Sequence, residues 1–325
     1  MKKIKQIKEF LRKNNNFIVV GHTSPEADCL GAQLAFAEVL RSLGKKCEVV
    51  NEDCSSKEYA FLPQVDKIRC KPKSRNFDAA IIVDCSDISR IGNVANFINS
   101  KTSILNIDHH IFNSNFGLIN VVYPEASSAC EILYFLFREL KLEINKNAAI
   151  CLYSGIVGDT GSFRYPSTSY RTHLAASNLM RYGINADWIY KNIYENLTFL
   201  DLRLINTVLQ KAKKDKTGKI VWVKLPKETA KKYEPQIDLA DNILNLIRSI
   251  GNAEVGVLIR EKKGEERHVR VNLRSRGRID VNEVARYFGG GGHKTASGVT
   301  FRNISIDEVE RKVIGFIKKQ VSRDK

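Results

Sequence analysis

The chain has 325 residues, enough for about two domains of roughly 150 residues each. Its 43% hydrophobic and 27% charged content excludes a disordered or collagenous chain, and no apolar run reaches the roughly 18 residues of a membrane helix. The net charge of +16 favours polyanionic partners, and residues 216–325, with 24 Lys/Arg against 14 Asp/Glu, carry +10 of it.

The basic N-terminus has charges in its first turns and no apolar signal core, which predicts a surface helix. Phe17-Ile18-Val19-Val20 reads as a buried strand. A turn at Gly21–Pro25 follows, then a helix from Glu26 to Leu43, with Ser24 as N-cap and Pro25 at the first helical position. Cys47–Val50, Ala79–Val83 and Ser103–Ile107 are further strands, and helical patterns cover 127–141 and 147–158. Strands alternating with helices predict an α/β fold with a doubly wound parallel sheet. Residues 1–198 form this domain, 199–218 a linker in which a helical stretch ends in the solvated run Lys211–Lys219 with a turn at Gly218, and 219–325 a smaller α/β domain. In the latter, Ile220–Leu225 is a strand and Asp238–Ser249 a helix. Glu254–Arg260 and His268–Arg274 form a hairpin around Gly264. Asp280–Phe288 is a helix opened by Asp280 and Glu283. A glycine-rich loop, one more strand and an amphipathic helix through Val309, Val313, Phe316 and Ile317 complete it.

Seven cysteines, an odd number without a CxxC pair, give neither a disulfide framework nor a zinc site. Reduced, mostly buried thiols in a cytoplasmic protein are expected.

Ligands of open parallel sheets bind beyond the strand C-termini. Four such positions carry acids or histidines. They are His22 to Asp28, Asp84, Asp108-His109-His110, and Asp159 after the apolar stretch Ala148–Val157. Carboxylates with a few imidazoles and no thiolate suit Mn2+, Mg2+ or Fe2+. Two ions about 4 Å apart, bridged by a carboxylate, are the usual means of phosphate-ester hydrolysis. His109 and His110 are adjacent, so one can bind metal while the other faces substrate.

In the distal half, Val269, Val271 and Leu273 alternate with Arg270, Asn272, Arg274 and Arg276, which share the opposite strand face. Gly289 to Gly292 can bring backbone N–H groups close to a phosphate, with His293 at the end of the loop. Asn113 and Arg164 are further substrate-binding candidates. Tyr287 and Phe288 suit core packing better than base stacking.

His22-x-x-Pro25-x-x-Asp28, Asp84, Asp108-His109-His110-x-x-Asn113 and Gly158-Asp159-Thr160-Gly161 resemble the successive motifs of the DHH phosphoesterase superfamily. Arg274-Ser275, Phe288 to His293 and Ala296-Ser297-Gly298 resemble its associated C-terminal substrate domain. The likeness covers nearly the whole chain and is closest to the bifunctional oligoribonuclease/pAp phosphatases, the nanoRNases. It implies two divalent ions, Mn2+ first, with the cleft between the domains. His22, Glu26 and Asp84 would hold one ion. Asp28, Asp84, His109 and Asp159 would hold the other. His110 would face the scissile phosphate and Asp108 would orient a ligand histidine. Arg274, Gly290, Gly291, Gly292 and His293 would bind the nucleotide.

Two positions depart from the family pattern. Glu26 stands where Asp is usual, and Lys294 where Pro is frequent. The implied substrates are short single-stranded RNA, degraded to nucleoside 5′-monophosphates, and pAp. No protein partner or membrane is implied, and a homodimer is compatible. The alternatives are a cyclic-dinucleotide or pApA phosphodiesterase, a longer-strand exonuclease, and a non-catalytic RNA-binding protein with a decayed metal site.

Overall fold

The computed structural model describes residues 2–54, 58–233, 239–261 and 268–323. The chain divides into two compact units, Met1–Asn196 and Leu197–Lys325.

The first unit opens with α1 (Lys2–Lys13), which buries Ile7, Phe10 and Leu11. Five parallel strands follow: β1 (Asn16–Val20), β2 (Lys46–Val50), β3 (Ala79–Val83), β4 (Ser103–Asp108) and β5 (Ile119–Val122), in the order β2-β1-β3-β4-β5. In β3 every residue is buried, because both faces of the sheet are covered. One face packs on α1, α2 (Ala27–Ser42), α3 (Ala129–Leu140) and α4 (Lys146–Asp159). The other packs largely on a 3-10 stretch, Ile88–Phe97, through Ile91 and Val94. Helices α5 (Tyr170–Met180) and α6 (Ala186–Tyr194) complete the unit. Neither these two helices nor β5 was expected from the sequence.

The second unit begins with α7 (Phe199–Leu209). Residues 199–218 therefore contain the helical stretch read from the sequence, followed by the short strand β6 (Lys213–Lys214), and belong to the second unit instead of linking the two. Leu204, Ile205 and Val208 are buried against the second sheet, which is why this helix joins the second unit. That sheet comprises β6, β7 (Ile220–Leu225), β8 (Val255–Glu261), β9 (Val269–Ser275), β10 (Gly291–His293) and β11 (Ala296–Phe301), in the order β10-β11-β9-β8-β7-β6. Helices α8 (Lys227–Tyr233), α9 (Ala240–Arg248), α10 (Val281–Tyr287) and α11 (Ile306–Arg323) accompany it. Ile220 and Trp222 face α10 and α11, whereas Val221 and Val223 face α7 and α9. This is the period-two alternation of a strand covered on both sides.

Strands β8 and β9 pair antiparallel, as expected, but Gly264 and Asp238 lie outside the described residues. The glycine loop is partly regular, since Gly291–His293 pairs with Ala296–Gly298. Gly290 backs onto Val299, so a Cβ there would lie 2.6 Å from the Val299 Cβ. Phe288 packs into the core, and Tyr287 stays exposed, stacked on Phe316 with ring centroids 4.2 Å apart.

Two further expectations change. Ser24 is not the cap of α2: it has φ +54°, and Glu26 occupies the N-cap position without a side-chain bond. Asp53 holds Ser24 instead, its Oδ2 accepting from Ser24 N at 2.6 Å. Cys54 and Cys70 are joined in a disulfide, where reduced thiols were expected. Pairing of Val50 with Arg69 draws their segments together. Among the described residues no helix is long and apolar enough to cross a membrane.

Candidate active site

Strand β2 lies to one side of β1 and β3 to the other, so the chain reverses its direction of winding between β1 and β3. Such a switch point opens a crevice at the strand C-termini. His22 follows β1, and Asp84 follows β3. His22 Nε2 lies 3.2 Å from Asp84 Oδ2. Asp84 adopts φ +53°, a left-handed conformation that Asp tolerates better than most residues.

The other side of Asp84 faces the end of β4. Its Oδ1 lies 3.5 Å from His109 Nε2 and 3.6 Å from His110 Nδ1. His109 Nε2 is also 3.3 Å from Asp159 Oδ2 and 3.9 Å from Asp28 Oδ2. Asp28 is in the first turn of α2, and Asp159 is the last residue of α4. The two helices approach closely at Gly155, where a Cβ would lie 2.8 Å from Asp28 Oδ1. Asp159 thus comes to the site from a helix end, not a strand end.

Each histidine is aimed by its second nitrogen. His22 Nδ1 donates to the Thr23 carbonyl at 2.7 Å, and His109 Nδ1 to the Ala126 carbonyl at 3.4 Å. Both therefore turn Nε2 towards the carboxylates. His110 Nδ1 donates to Asp108 Oδ1 at 2.7 Å. Asp108 therefore orients His110, the residue expected to face the phosphate, and not His109, the histidine expected to bind metal.

Electrostatics follow from burial. Asp84 is held well below the usual carboxylate range: burial opposes its charge, but the imidazoles of His109, His22 and His110 outweigh it. His109 is held well above the usual imidazole range, because Asp159, Asp84 and Asp28 overcome its burial. His22 is raised as well, with Cys29 and Asp84 overcoming burial. Burial and the negative charge of Asp84 push Asp28 up to about 6. Burial also drives Asp159 well above its ordinary value, aided by the carboxylates around it. Asp108 lies below the usual range, since His110 and Asn113 more than offset its burial.

The donor set suits cations. Asp84 is buried, yet its Oδ1 accepts no hydrogen bond, an arrangement that costs free energy unless a cation or water meets it. Ligand atoms of Asp28, Asp84 and His109 lie within 4.8 Å of one another, as do those of His22, Cys29 and Asp84. Asp84 is common to both groups, as a bridging carboxylate must be. Glu26 stands apart: its side chain is 59% exposed and its Oε1 is 3.9 Å from His22 Nε2.

Asn113 turns its amide inward. Its Nδ2 lies 2.7 Å from Asp108 Oδ2, 2.9 Å from Asn106 Oδ1 and 3.2 Å from the Cys85 carbonyl. It supports Asp108 more directly than it reaches outward. Arg164 is exposed, with Nε donating to Gly161 O at 2.7 Å. Sequence reasoning passed over Asn106, which is fully buried on β4 and donates to the carbonyls of Ile82 and Cys85 at 3.3 and 3.0 Å. It fixes the turn that carries Asp84. An amide in the apolar run Ser103–Ile107 was the available signal.

In the second unit, Arg270 and Arg274 lie on one face of β9, between the buried Val269, Val271 and Leu273. Arg274 pairs with Asp241 through Nη2, and Arg270 Nη1 donates to Thr300 Oγ1 at 3.2 Å. Gly290, Gly291, Gly292 and His293 pass along the sheet edge beside β11. The His293 carbonyl accepts from Ser297 Oγ at 2.7 Å.

Comparison with known proteins matches both units. Residues 16–156 match the DHH family, N-terminal domain, and residues 230–322 match the DHHA1 domain. The chain is 26% identical to the bifunctional oligoribonuclease and PAP phosphatase NrnA of Thermus thermophilus, over 99% of this chain and 95% of that protein. It is 27% identical to NrnA of Bacillus subtilis, over 91% and 92%. A crystal structure of an exopolyphosphatase-related protein from Bacteroides fragilis superposes with a TM-score of 0.89 at 25% identity, covering 99% of this chain and 98% of the other. RecJ from Thermus thermophilus, solved in complex with Mn2+, shares the fold at a TM-score of 0.57 and 15% identity, over 98% of this chain and 54% of RecJ. The chain belongs to the DHH family of phosphoesterases, with a DHH domain followed by a DHHA1 domain.

Proposed function

We propose that this chain is a cytoplasmic metal-dependent phosphodiesterase that degrades short oligoribonucleotides to nucleoside 5′-monophosphates and removes the 3′-phosphate of pAp to give AMP. The observation that carries this reading is the buried Asp84 carboxylate, set between His22 and His109 with one oxygen that accepts no hydrogen bond. The NrnA relatives, matched over nearly their whole length, support the substrate class.

His22, Glu26 and Asp84 would hold one divalent ion, and Asp28, Asp84, His109 and Asp159 a second, with Mn2+ as the favoured metal. Ions so held supply Lewis-acid stabilisation of the phosphoryl charge and an activated water. Asp108 anchors His110 at Nδ1, and Nε2 would hydrogen-bond a non-bridging phosphate oxygen as charge builds on it. Asn113 and Asn106 keep Asp108 and the Asp84 turn in register. In the second unit, Arg274, with the Gly290–Gly292 backbone and His293, would bind the terminal nucleotide. Glycines there admit a phosphate to backbone N–H groups.

The test is a product time course with Mn2+ on 5′-labelled RNAs from the dinucleotide to about the 24-mer, with pAp and a cyclic dinucleotide alongside and Asp84→Ala as control. We expect the shortest RNAs to be converted fastest to mononucleotides, pAp to yield AMP, and the variant to be inactive. A metal-loaded protein inert towards RNA and pAp overturns the reading, and turnover of the cyclic dinucleotide alone would redirect it to that substrate.

A further inference from the structure

The metal centre contains a sulfur donor that the oxygen-and-imidazole ligand set leaves out. Cys29 follows Asp28 in the first turn of α2 and is fully buried. Its Sγ, an imidazole nitrogen of His22 and a carboxylate oxygen of Asp84 lie within 4.8 Å of one another. The backbone makes room for it, since a Cβ on Gly21 would overlap the sulfur. The sulfur faces His22, to which it is hydrogen-bonded, while its contact with Gln33 Oε1 is long, at 3.9 Å, and that oxygen already accepts from Asn51 Nδ2 at 2.8 Å. Glu26, by contrast, is mostly exposed and lies no closer than 3.9 Å to His22 Nε2. On the His22 side of Asp84, the buried donors are therefore an imidazole, a carboxylate and a thiol. Asp84 is buried and turns Oδ2 to His22 at 3.2 Å and Oδ1 to His109 and His110 at 3.5 and 3.6 Å, so its two oxygens serve the two halves of the centre separately.

We propose that Cys29 is a ligand of the ion held by His22 and Asp84, so that one half of the centre is sulfur-bearing and the other oxygen-rich. This rests on the metal-centre reading above. On binding, a sulfur–metal bond forms and the thiol proton passes to water. Soft sulfur favours Zn2+, Co2+ or Fe2+ over Mg2+ and Mn2+, whereas Asp28, His109 and Asp159 retain the harder site. The centre would then hold two different metals when both kinds are supplied.

The test loads the full-length protein, Cys29→Ala and Cys29→Ser with Co2+ and records the near-ultraviolet spectrum, with bound metal counted by elemental analysis. Wild type should show a thiolate-to-cobalt charge-transfer band that both variants lack. Competition between Zn2+ and Mn2+ should shift towards Mn2+ by about tenfold or more in Cys29→Ala. Cys29→Ser keeps the size of the side chain, so it guards against a variant that fails to fold. A wild-type protein that binds Co2+ and hydrolyses RNA but lacks the band overturns the proposal for Cys29 alone. A wild-type protein that binds no Co2+, Zn2+ or Mn2+ overturns the metal-centre reading with it.

Discussion

Asp28 caps a helix that begins 101 residues later: its Oδ2 accepts from Ala129 N at 2.7 Å. Its Oδ1 accepts from Cys130 N at 2.9 Å. One carboxylate thus satisfies two N–H groups at the start of α3 while facing His109. Asp28→Ala should therefore lose structure as well as metal. Two buried donors lose their acceptor, offset in part by removal of a buried charge. We expect a net loss of about 1–2 kcal/mol in the metal-free protein. Thermal unfolding in chelator measures this, and an unchanged melting temperature would contradict the capping role.

Asp159 should behave in the opposite way. Burial and neighbouring carboxylates hold its folded-state pKa well above the usual value, so its ionised form is destabilising without a cation. The penalty is absent below the unfolded carboxylate range, grows as pH rises through it, and is complete above the raised folded value. Asp159→Asn should raise the melting temperature of the metal-free protein by a few degrees at neutral pH and by nothing near pH 3. It should also reduce the further rise that Mn2+ gives to wild type. A variant less stable than wild type at pH 7 in chelator would show that the pairing of Asp159 with His109 outweighs the penalty of its burial.

His110 and Asp108 form a pair whose failure should be chemical. His110→Ala should lower kcat by about a hundredfold, in the range of lost transition-state hydrogen bonds. Asp108→Asn should have a smaller effect of the same kind, because it disturbs the orientation of His110. Metal content should stay at the wild-type value in both. Loss of metal from His110→Ala would make this histidine a ligand instead.

The parts of the site carried by continuous apolar strands were readable directly. Phe17–Val20 and Ala79–Val83 are buried on both faces, so each appears as an unbroken apolar run with its polar residue one or two positions beyond, and Ser103–Ile107 reads alike apart from Asn106. The supporting shell was not readable, because it is non-local. Ser24 looked like a helix cap, but Asp53 and the Thr23 N to Arg90 O bond bend that loop instead. Asn106 acts across β3, and nothing in its own segment says which carbonyls it meets. Strand β5 is short and alternates buried with half-buried residues at the sheet edge, giving too little pattern to distinguish it from a loop. Four glycines suggested a loop at 289–292, yet pairing with β11 makes a strand of Gly291–His293. Glu26, inside the first motif, supplies a carboxylate where Asp is usual, but its side chain is 59% exposed.

Glu310 anchors the second unit. Its Oε1 accepts from Trp222 Nε1 at 2.7 Å and Lys213 Nζ at 2.8 Å, and its Oε2 lies 2.8 Å from Lys224 Nζ. Burial opposes its charge, but Lys213, Lys224 and Trp222 bring its carboxyl down to about 2 from an ordinary 4.5. The stabilisation is present above the unfolded value near 4.5 and is lost as pH falls towards 2. Glu310→Gln should cost about 1–2 kcal/mol at neutral pH, after allowance for solvent screening. The gap between variant and wild type should close between pH 5 and pH 2 in a thermal titration. A gap independent of pH would mean that packing, not charge, holds this corner.

Arg274 offers the sharpest separation of binding from chemistry. Its guanidinium pairs with Asp241, whose side chain is 61% exposed. An exposed partner holds an arginine weakly, and a phosphate offers the same planar fork a more highly charged acceptor. If Arg274 binds the substrate as proposed, exchange of Asp241 for a substrate phosphate should accompany binding. Arg274→Ala should raise KM for short RNA by about tenfold or more and leave kcat at saturation within about threefold. Asp241→Asn removes the competing carboxylate without removing the arginine, so it should lower KM by a few-fold with kcat unchanged. Steady-state kinetics on the trinucleotide, at fixed Mn2+ and two salt concentrations, decide the matter. The KM advantage of Asp241→Asn should shrink at high salt, where both anions are screened. A fall in kcat with constant KM in Arg274→Ala would place this arginine in the chemical step instead.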